Sequence, residues 1–306
     1  MYPLKFTPVY QERIWGGTNL NKMVGRNISG DHIGESWDLS SHPNGMSVVK
    51  NGFLAGKSLK ELIVEYQDTL MGTKFTGQSS FPLLVKILDA NDDLSIQVHP
   101  DDEFAFQTEG EPGKTEAWYV IHANEGAHIL YGLKKDITRE ALLTAIQEKR
   151  IGDAIRKVPV KPGDMVYVPA GTVHALMKGV MVYEIQQNSD TTYRLYDYDR
   201  KGKDGKPREL HLEKALAVIR FSQQPDCVFI GDSIHCQYFS MVKIAVNGMI
   251  CEKTYNQFVI YCVIGGSGEI SYREGRESLA FGDTVLIPAC MDTYCLKGEL
   301  SLLKIT

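Results

Sequence analysis

The sequence of 306 residues has no cysteine before position 227, no apolar run of bilayer-spanning length and no long basic run. A transmembrane helix needs about 20 consecutive apolar residues, so none is expected. The net charge of −5 and a pI near 5.9 argue against the basic surface that nucleic acids attract. We therefore expect neither a membrane nor a nucleic acid as a partner.

The chain also lacks a CxxC pair, and its first residues, "MYPLKFTPVY", lack the apolar core of a signal peptide. The cysteines are Cys227, Cys236, Cys251, Cys262, Cys290 and Cys295. Without paired spacing in a chain of this length, they predict reduced, mostly packed thiols. We expect a cytoplasmic protein, and the sequence leaves its oligomeric state open.

What is present is a hydrophobic content of 43%, enough to bury a sizeable core, mostly in short strands separated by Gly, Pro and Asn. The clearest strand patterns are "FPLLVKILDA", "LSIQVHP", "EAWYVIHA", "AHILYGL", "DMVYVPA", "VMVYEIQQ", "CVIGGSGEISY", "DTVLIPA" and "LSLLKIT". Apolar residues at helical spacing predict helices over 58–72, 138–158 and 211–219. Residues 198–210 are polar and rich in glycine, which predicts a connection.

An internal repeat relates "VKPGDMVYVPAGTVHAL" (160–176) to "LAFGDTVLIPACMDTYCL" (279–296). Aligning Gly163 with Gly282 places His174 over Thr293. Each copy resembles the closing hairpin of a cupin, a small double-sheet β-barrel. The predicted fold is therefore mainly β, with two cupin-like (jelly-roll) barrels and short helical insertions. The predicted domains are a catalytic barrel at 1–200, with a helical insert near 134–158, and a linker and second barrel at 201–306.

Four side chains of the first half form a candidate metal site. Gln97 and His99 share one face of a strand, because strand side chains alternate. Glu116 shares a face of the next strand with Lys114, and His174 follows the Pro-Ala-Gly turn. Two imidazoles, a carboxylate and an amide oxygen suit Zn²⁺ or another first-row divalent ion. The alternative is that both histidines are ordinary polar residues in loops.

Six blocks of the sequence together resemble a known family: "QERIWGGTNL", "GESWDLSSHPNG", "SIQVHPDD", "GKTEAWYV", "VPAGTVHAL" and "EIQQNSDTTYRLYDYDR". They are similar to type I mannose-6-phosphate isomerases (phosphomannose isomerases) of the short bacterial form, in the cupin superfamily. The resemblance covers nearly the whole chain. It implies interconversion of mannose 6-phosphate and fructose 6-phosphate, an active-site arginine at Arg194, and zinc held by Gln97, His99, Glu116 and His174.

The chain departs from the longer members of the family in two places. The stretch 134–158 stands where they have a large helical insertion. "EPGKTE" stands where they have an Asn-His-Lys-Pro-Glu run, although the Lys-x-Glu spacing of Lys114 and Glu116 is kept.

Aldose–ketose isomerisation requires a base and a group that stabilises an enediolate. Glu184 and Arg194 are the candidates, and the alternative is a structural ion pair between them. Lys114 is a candidate to protonate the ring oxygen or stabilise charge, unless it is a solvated lysine at a strand end. One metal site favours proton transfer through a cis-enediol over a two-metal hydride shift. The candidates for binding the phosphate are Ser95, Lys114, Arg194 and Arg200.

Two other functions stay open at this point. A cupin that senses a sugar phosphate without converting it would need the pocket but no acid or base. An iron cupin dioxygenase usually has more histidine ligands than this set provides. In the second barrel, Thr293 replaces the histidine, and no histidine occurs in 240–306. We therefore expect that barrel to hold no metal.

Overall fold

The computed structural model describes residues 1–202, 205–222, 225 and 231–306, which are mainly β-structure, as predicted. Cys227 and two residues of the expected connection, 203–204, lie outside the described residues. The α-helices are α1 (Asn19–Val24), α2 (Leu59–Met71), α3 (Asp102–Thr108), α4 (Arg139–Gln147) and α5 (Leu212–Val218). The strands are β1 (Leu4–Thr7), β2 (Val9–Gly17), β3 (Ile33–Leu39), β4 (Val48–Val49), β5 (Leu83–Ala90), β6 (Ile96–Val98), β7 (Glu116–Ala123), β8 (His128–Leu133), β9 (Ile155–Pro159), β10 (Met165–Val168), β11 (His174–Leu176), β12 (Val180–Gln187), β13 (Tyr193–Tyr196), β14 (Ser233–His235), β15 (Ser240–Lys253), β16 (Val259–Tyr272), β17 (Gly275–Ala280), β18 (Thr284–Ile287) and β19 (Thr293–Ile305).

A pair of antiparallel sheets from the first two thirds of the chain packs face to face. One runs in the order β10-β7-β12-β5-β3-β2 and the other in the order β13-β6-β11-β8-β9. Trp118 and Val182 of the first sheet share a buried cluster with Ile129, Tyr131 and Leu176 of the second. Alternate side chains of each strand therefore fill the space between the sheets. We call these two sheets the first sheet pair.

The last third of the chain forms a further antiparallel sheet, which also includes the start of the chain. Its path is β14-β15-β19-β16-β18-β1-β4, with β17 paired to β16. Leu4 of β1 lies opposite Leu286 of β18. Ile260 and Leu303 of this sheet share a buried cluster with Ile87 of the first sheet pair, so the two parts of the chain have a common core. The division into two barrels stays a prediction.

The two copies of the predicted repeat have matching backbone geometry. Gly163 and Gly282 both have positive φ, +95° and +85°, a conformation that glycine adopts without a Cβ clash. The N–H of each glycine donates to a valine carbonyl at 2.9 Å, that of Val120 in the first copy and that of Val263 in the second. The turns thus hold β7 and β16 in the same way, which supports the repeat.

The helices differ from the sequence prediction in two ways: α1 and α3 were not predicted, and one predicted helix is too long. The segments 58–72 and 211–219 contain α2 and α5. In a capping box at α2, the Ser58 hydroxyl accepts from the Glu61 N–H, and the Glu61 carboxylate accepts from the Ser58 N–H. None of the helices in the described residues is long and apolar enough to cross a membrane.

The predicted helix over 138–158 is wrong in its second half. The helix α4 ends at Gln147, and Lys149 has a φ of +57°. The chain then forms β9, which pairs with β8 over positions such as Ile129 and Val158. The helical spacing of the sequence is overridden here because the edge of β8 pairs with this segment.

The prediction of reduced cysteines is wrong for one pair. Cys251 and Cys295 form a disulfide between β15 and β19, where the register places them directly opposite each other with Cα atoms 4.0 Å apart. A separation of 44 residues along the chain hid this pairing. The free thiols of the described residues are Cys236, Cys262 and Cys290.

Candidate active site

A row of side chains across the first sheet of the pair places a carboxylate between a lysine and a tryptophan. Glu184 of β12 lies opposite Lys86 of β5 on one side and Trp118 of β7 on the other. Trp118 Nε1 donates to Glu184 Oε2 at 3.0 Å, and Lys86 Nζ lies 3.8 Å from Oε1. Burial, together with the nearby Glu116, raises the pKa of Glu184 to about 7, although Lys114 and Lys86 oppose the shift. A group with this pKa can accept and release a proton near neutral pH.

The other sheet brings two imidazoles to a second carboxylate. His99 Nε2 lies 3.4 Å from Glu116 Oε2, and His174 Nε2 lies 3.3 Å from Glu116 Oε1. One ligand atom from each of these three side chains lies within 4.8 Å of the others. Gln97, opposite His174 in the sheet, has its amide nitrogen 3.3 Å from His174 Nε2. A half-turn of the amide would present its oxygen there, so the structure brings all four predicted ligands together.

Both histidines are held in the tautomer that a metal ligand requires. Nδ1 of His99 lies 3.0 Å from the carbonyl oxygen of Thr191, and Nδ1 of His174 lies 2.9 Å from that of Thr172. Since a carbonyl only accepts, Nδ1 carries the hydrogen and the Nε2 lone pair faces Glu116. Burial lowers the pKa of both imidazoles, that of His99 to about 3, so both are neutral.

The environment of Glu116 fits a divalent cation. Both of its carboxylate oxygens are buried and accept no hydrogen bond of good geometry from the described residues, although Lys114 Nζ lies 2.8 Å from Oε2 as an ion pair. Burial alone would raise the pKa of Glu116, but the ammonium group of Lys114 holds it well below its ordinary value. An ionised, buried carboxylate beside two neutral imidazoles suits zinc or another first-row metal.

Lys114 is a buried member of this cluster, with 5% of its surface exposed. Its Nζ also lies 3.0 Å from His99 Nε2. Burial opposes its charge, but Glu116 and Glu184 raise the pKa of Lys114 above its ordinary value. It is therefore not the solvated strand-end lysine of the alternative interpretation.

A cavity of about 580 Å³ opens beside this cluster. The sequence-predicted residues that line it are Ser95, Gln97, Lys114, Glu184 and Arg194. The lining does not include Arg200, whose guanidinium donates to Asp197 at 2.6 Å and lies over the ring of Tyr198.

The ion pair between Glu184 and Arg194, the alternative interpretation, is not formed among the described residues. Glu184 contacts Trp118 and Lys86, whereas Arg194 Nη1 donates to the carbonyl of Glu209 at 3.0 Å.

Sequence reasoning missed several charged residues of the cavity lining: Arg13, Glu35, Lys86 and Arg208. Lys86 lies 4.6 Å from the ring centroid of Trp37, and Arg13 Nε donates to Glu35 at 2.6 Å. One signal was available. Lys86 interrupts the apolar run "LLVKIL", and a lysine on a fully buried strand is rare unless it is paired.

Comparison with known proteins places the chain in a family. Residues 3–111 match the model of the phosphomannose isomerase type I catalytic domain, and residues 230–306 match that of the mannose-6-phosphate isomerase cupin domain. The mannose-6-phosphate isomerase ManA of Bacillus subtilis is 44% identical, over 97% of this chain and 96% of that protein. The chain belongs to the type I phosphomannose isomerase family. The resemblance seen in the sequence is thereby confirmed.

Other relatives of the type I phosphomannose isomerase family agree along the full length. The mannose-6-phosphate isomerase of Streptococcus mutans is 39% identical, over 98% of this chain and 97% of that protein. The crystal structure of mannose 6-phosphate isomerase from Bacillus subtilis superposes with a TM-score of 0.92 and 39% identity, covering 100% of both chains. A more distant structure, 17% identical with a TM-score of 0.77, is a mannose 6-phosphate isomerase bound with zinc and yttrium.

Proposed function

We propose that this chain is a metal-dependent aldose–ketose isomerase that interconverts mannose 6-phosphate and fructose 6-phosphate. The observation that carries the proposal is the buried Glu184, with a pKa of about 7, on a cavity beside the cluster of His99, Glu116 and His174. Family membership supports the same substrate pair.

Gln97, His99, Glu116 and His174 would hold the metal, and zinc is the ion we favour for this donor set. When bound, a divalent ion there polarises the oxygens on the reacting carbons of the sugar as a Lewis acid.

In this proposal Glu184 moves the proton. Its carboxylate takes the proton from C2 of the open-chain aldose, which leaves the anion of a cis-enediol. Once the proton on O2 has moved to O1, Glu184 returns its proton to C1 to give the ketose. Trp118 Nε1 and Lys86 hold the carboxylate in place. The cations of Lys114 and Arg194 stabilise the negative charge that develops on the sugar oxygens.

The test is the coupled formation of fructose 6-phosphate from mannose 6-phosphate, with metal-loaded and chelator-treated protein. Product formation that chelation abolishes and zinc restores is the expected result. A protein that binds mannose 6-phosphate but releases no product would instead be a non-catalytic sugar-phosphate sensor, and the proposal would fail.

A further inference from the structure

Three arginines from distant parts of the sequence line one cavity. Arg13 comes from β2, Arg194 from β13, and Arg208 from the segment between β13 and α5. The Arg208 segment runs beside β13, since the His211 N–H donates to the Arg194 carbonyl at 2.8 Å. The fold therefore gathers these side chains at one wall of the proposed active site.

The carboxylates near two of these arginines are shared with other cations. Glu35 lies 2.6 Å from Arg13 Nε and 3.7 Å from Lys86 Nζ. A structural ion pair would need one carboxylate for each cation. Glu35 therefore balances only part of the positive charge at this place.

Asp197 is shared in the same way. It lies 2.6 Å from Arg200 Nη2 and 3.2 Å from Arg208 Nη1. Arg200 is not part of the cavity lining, whereas Arg208 is. Asp197 thus separates an outer arginine from an inner one.

Arg194 has the weakest pairing of the three. Its Nη1 donates to the Glu209 carbonyl, and its buried Nε has no hydrogen-bond partner among the described residues. Burial, and then the positive charge of Arg208, lower the pKa of Arg194; Asp197 and Glu209 oppose this shift, and Arg13 adds a smaller lowering. Positive charges that repel one another in a cavity favour an anionic ligand.

Acidic residues also line the cavity, and two of them have other surroundings. Glu209 directs its carboxylate to solvent, with 82% of the side chain exposed. Asp190 accepts a hydrogen bond from Asn44 at 3.0 Å. Glu12 also lines the cavity and has contacts of its own.

We propose that Arg13 and Arg208, next to Arg194, form the subsite that binds the phosphoryl group of the sugar phosphate. This inference rests on the proposed function and assigns the phosphate to two residues that the sequence did not single out. It replaces Arg200, which lies outside the cavity, with Arg208. Guanidinium groups suit the task because their planar N–H donors match phosphate oxygens in pairs.

The first experiment uses Arg13→Gln, Arg208→Gln and the double variant, each metal-loaded. Losing one charge-assisted contact should raise the KM for mannose 6-phosphate about 10- to 100-fold per residue, with a smaller effect on kcat. Arg13→Lys keeps a charge beside Glu35 and should lose less than Arg13→Gln. Arg276→Gln, an exposed arginine near Glu269, is the matched control for loss of one charge.

The second experiment does not depend on turnover. Inorganic phosphate should raise the Tm of the parent protein, and the double variant should lose most of that protection. An unchanged KM together with unchanged protection by phosphate would overturn the proposal. The variant Arg200→Gln tests whether the phosphate binds at Arg200 or at Arg208, which lie on different sides of Asp197. If it raises KM as much as Arg208→Gln does, the phosphate lies on the outer side and the assignment is wrong.

The outcomes separate this inference from the proposed function. In one outcome the parent protein makes no fructose 6-phosphate, but phosphate protects it and does not protect the double variant. This result would support the anion subsite and refute the isomerase proposal. In the other outcome the parent protein makes fructose 6-phosphate, and the double variant has the same KM and the same protection by phosphate as the parent. This result would support the isomerase proposal and refute the subsite.

Discussion

His174 and Thr293 occupy the same position in two copies of one strand–turn–strand unit. Each begins the strand after the turn, β11 in the first copy and β19 in the second. Their cross-strand partners are also equivalent, Gln97 in the first copy and Lys253 in the second. The second copy thus has a threonine and a lysine where the first has two of the proposed ligands.

The register extends this comparison to the carboxylate. Glu116 lies opposite Val168 in the first copy, and Val259 lies opposite Ile287 in the second. A valine therefore stands at the position of Glu116, a proposed ligand. Cys295, the nearest thiol to Thr293 in sequence, forms a disulfide with Cys251 and so offers no thiolate.

We therefore predict about one tightly bound metal per chain. His99→Ala or His174→Ala should remove that metal and the activity together, because three remaining ligands hold it poorly. Elemental analysis of the purified variants measures this. A second equivalent that survives His99→Ala would contradict a metal-free C-terminal unit.

Metal retention should also depend on the residues that hold the His99 ring in place. The carbonyl of Thr191 accepts from the His99 ring, and the hydroxyl of Thr191 donates to the carboxylate of Glu111. His42 Nε2 lies 3.2 Å from the same carboxylate. Glu111→Ala should therefore speed metal loss to a chelator about 10-fold or more. Release is measured with a chromogenic chelator, and Glu125→Ala at an exposed turn is the control. Equal release rates would show that this contact is irrelevant to the metal.

Glu184→Gln should keep the metal and lose about 10²–10⁴-fold in kcat, because the amide cannot accept the proton. For the parent protein, kcat should fall below pH 7 as Glu184 becomes protonated. The pKa of Glu184 is higher in the folded than in the unfolded protein, so its ionisation lowers the free energy of unfolding. This loss grows from about pH 4.5 to pH 7 and stays constant at higher pH. At pH 8 the variant should unfold at no lower temperature than the parent. Near-normal turnover would remove Glu184 as the base.

Arg194→Ala should retain metal and fold but lose about 10²–10³-fold in kcat, because the cation stabilises the enediolate. Steady-state kinetics and metal content on the same preparation measure it. If only KM rises, Arg194 binds ground state and transition state equally, and its catalytic role fails.

Reduction of the disulfide Cys251–Cys295 should lower the free energy of unfolding by about 2–4 kcal/mol, because the unfolded chain gains conformational entropy when the cross-link is absent. Activity should persist, since neither cysteine lines the cavity. Thermal unfolding with and without reductant measures the change. The variant Cys290→Ser removes an exposed free thiol and is the control. An unchanged Tm on reduction would mean that the bond does not form.

Local patterns predicted much of this molecule. The alternation in "SIQVHP" placed Gln97 and His99 on one face of a strand, and the alignment of the repeat matched His174 with Thr293. Pairing between distant strands could not be predicted in the same way. The disulfide, the contact of Arg13 with Glu35 and the arrival of Arg208 at the cavity all depend on sheet register and chain path, which no local spacing encodes.

The position of β1 has a consequence for how the chain is made. Lys5 of β1 contacts Asp283 beside β18 at 2.8 Å, across 278 residues of sequence. At about 5–20 residues per second, the ribosome needs on the order of 15–60 s to deliver that partner. This strand can pair with β4 once Val48 and Val49 have been made, but it can pair with β18 only after synthesis has passed Leu286. A circular permutant that moves residues 1–7 behind Thr306 would place the synthesis of β1 directly after that of β18 and β19.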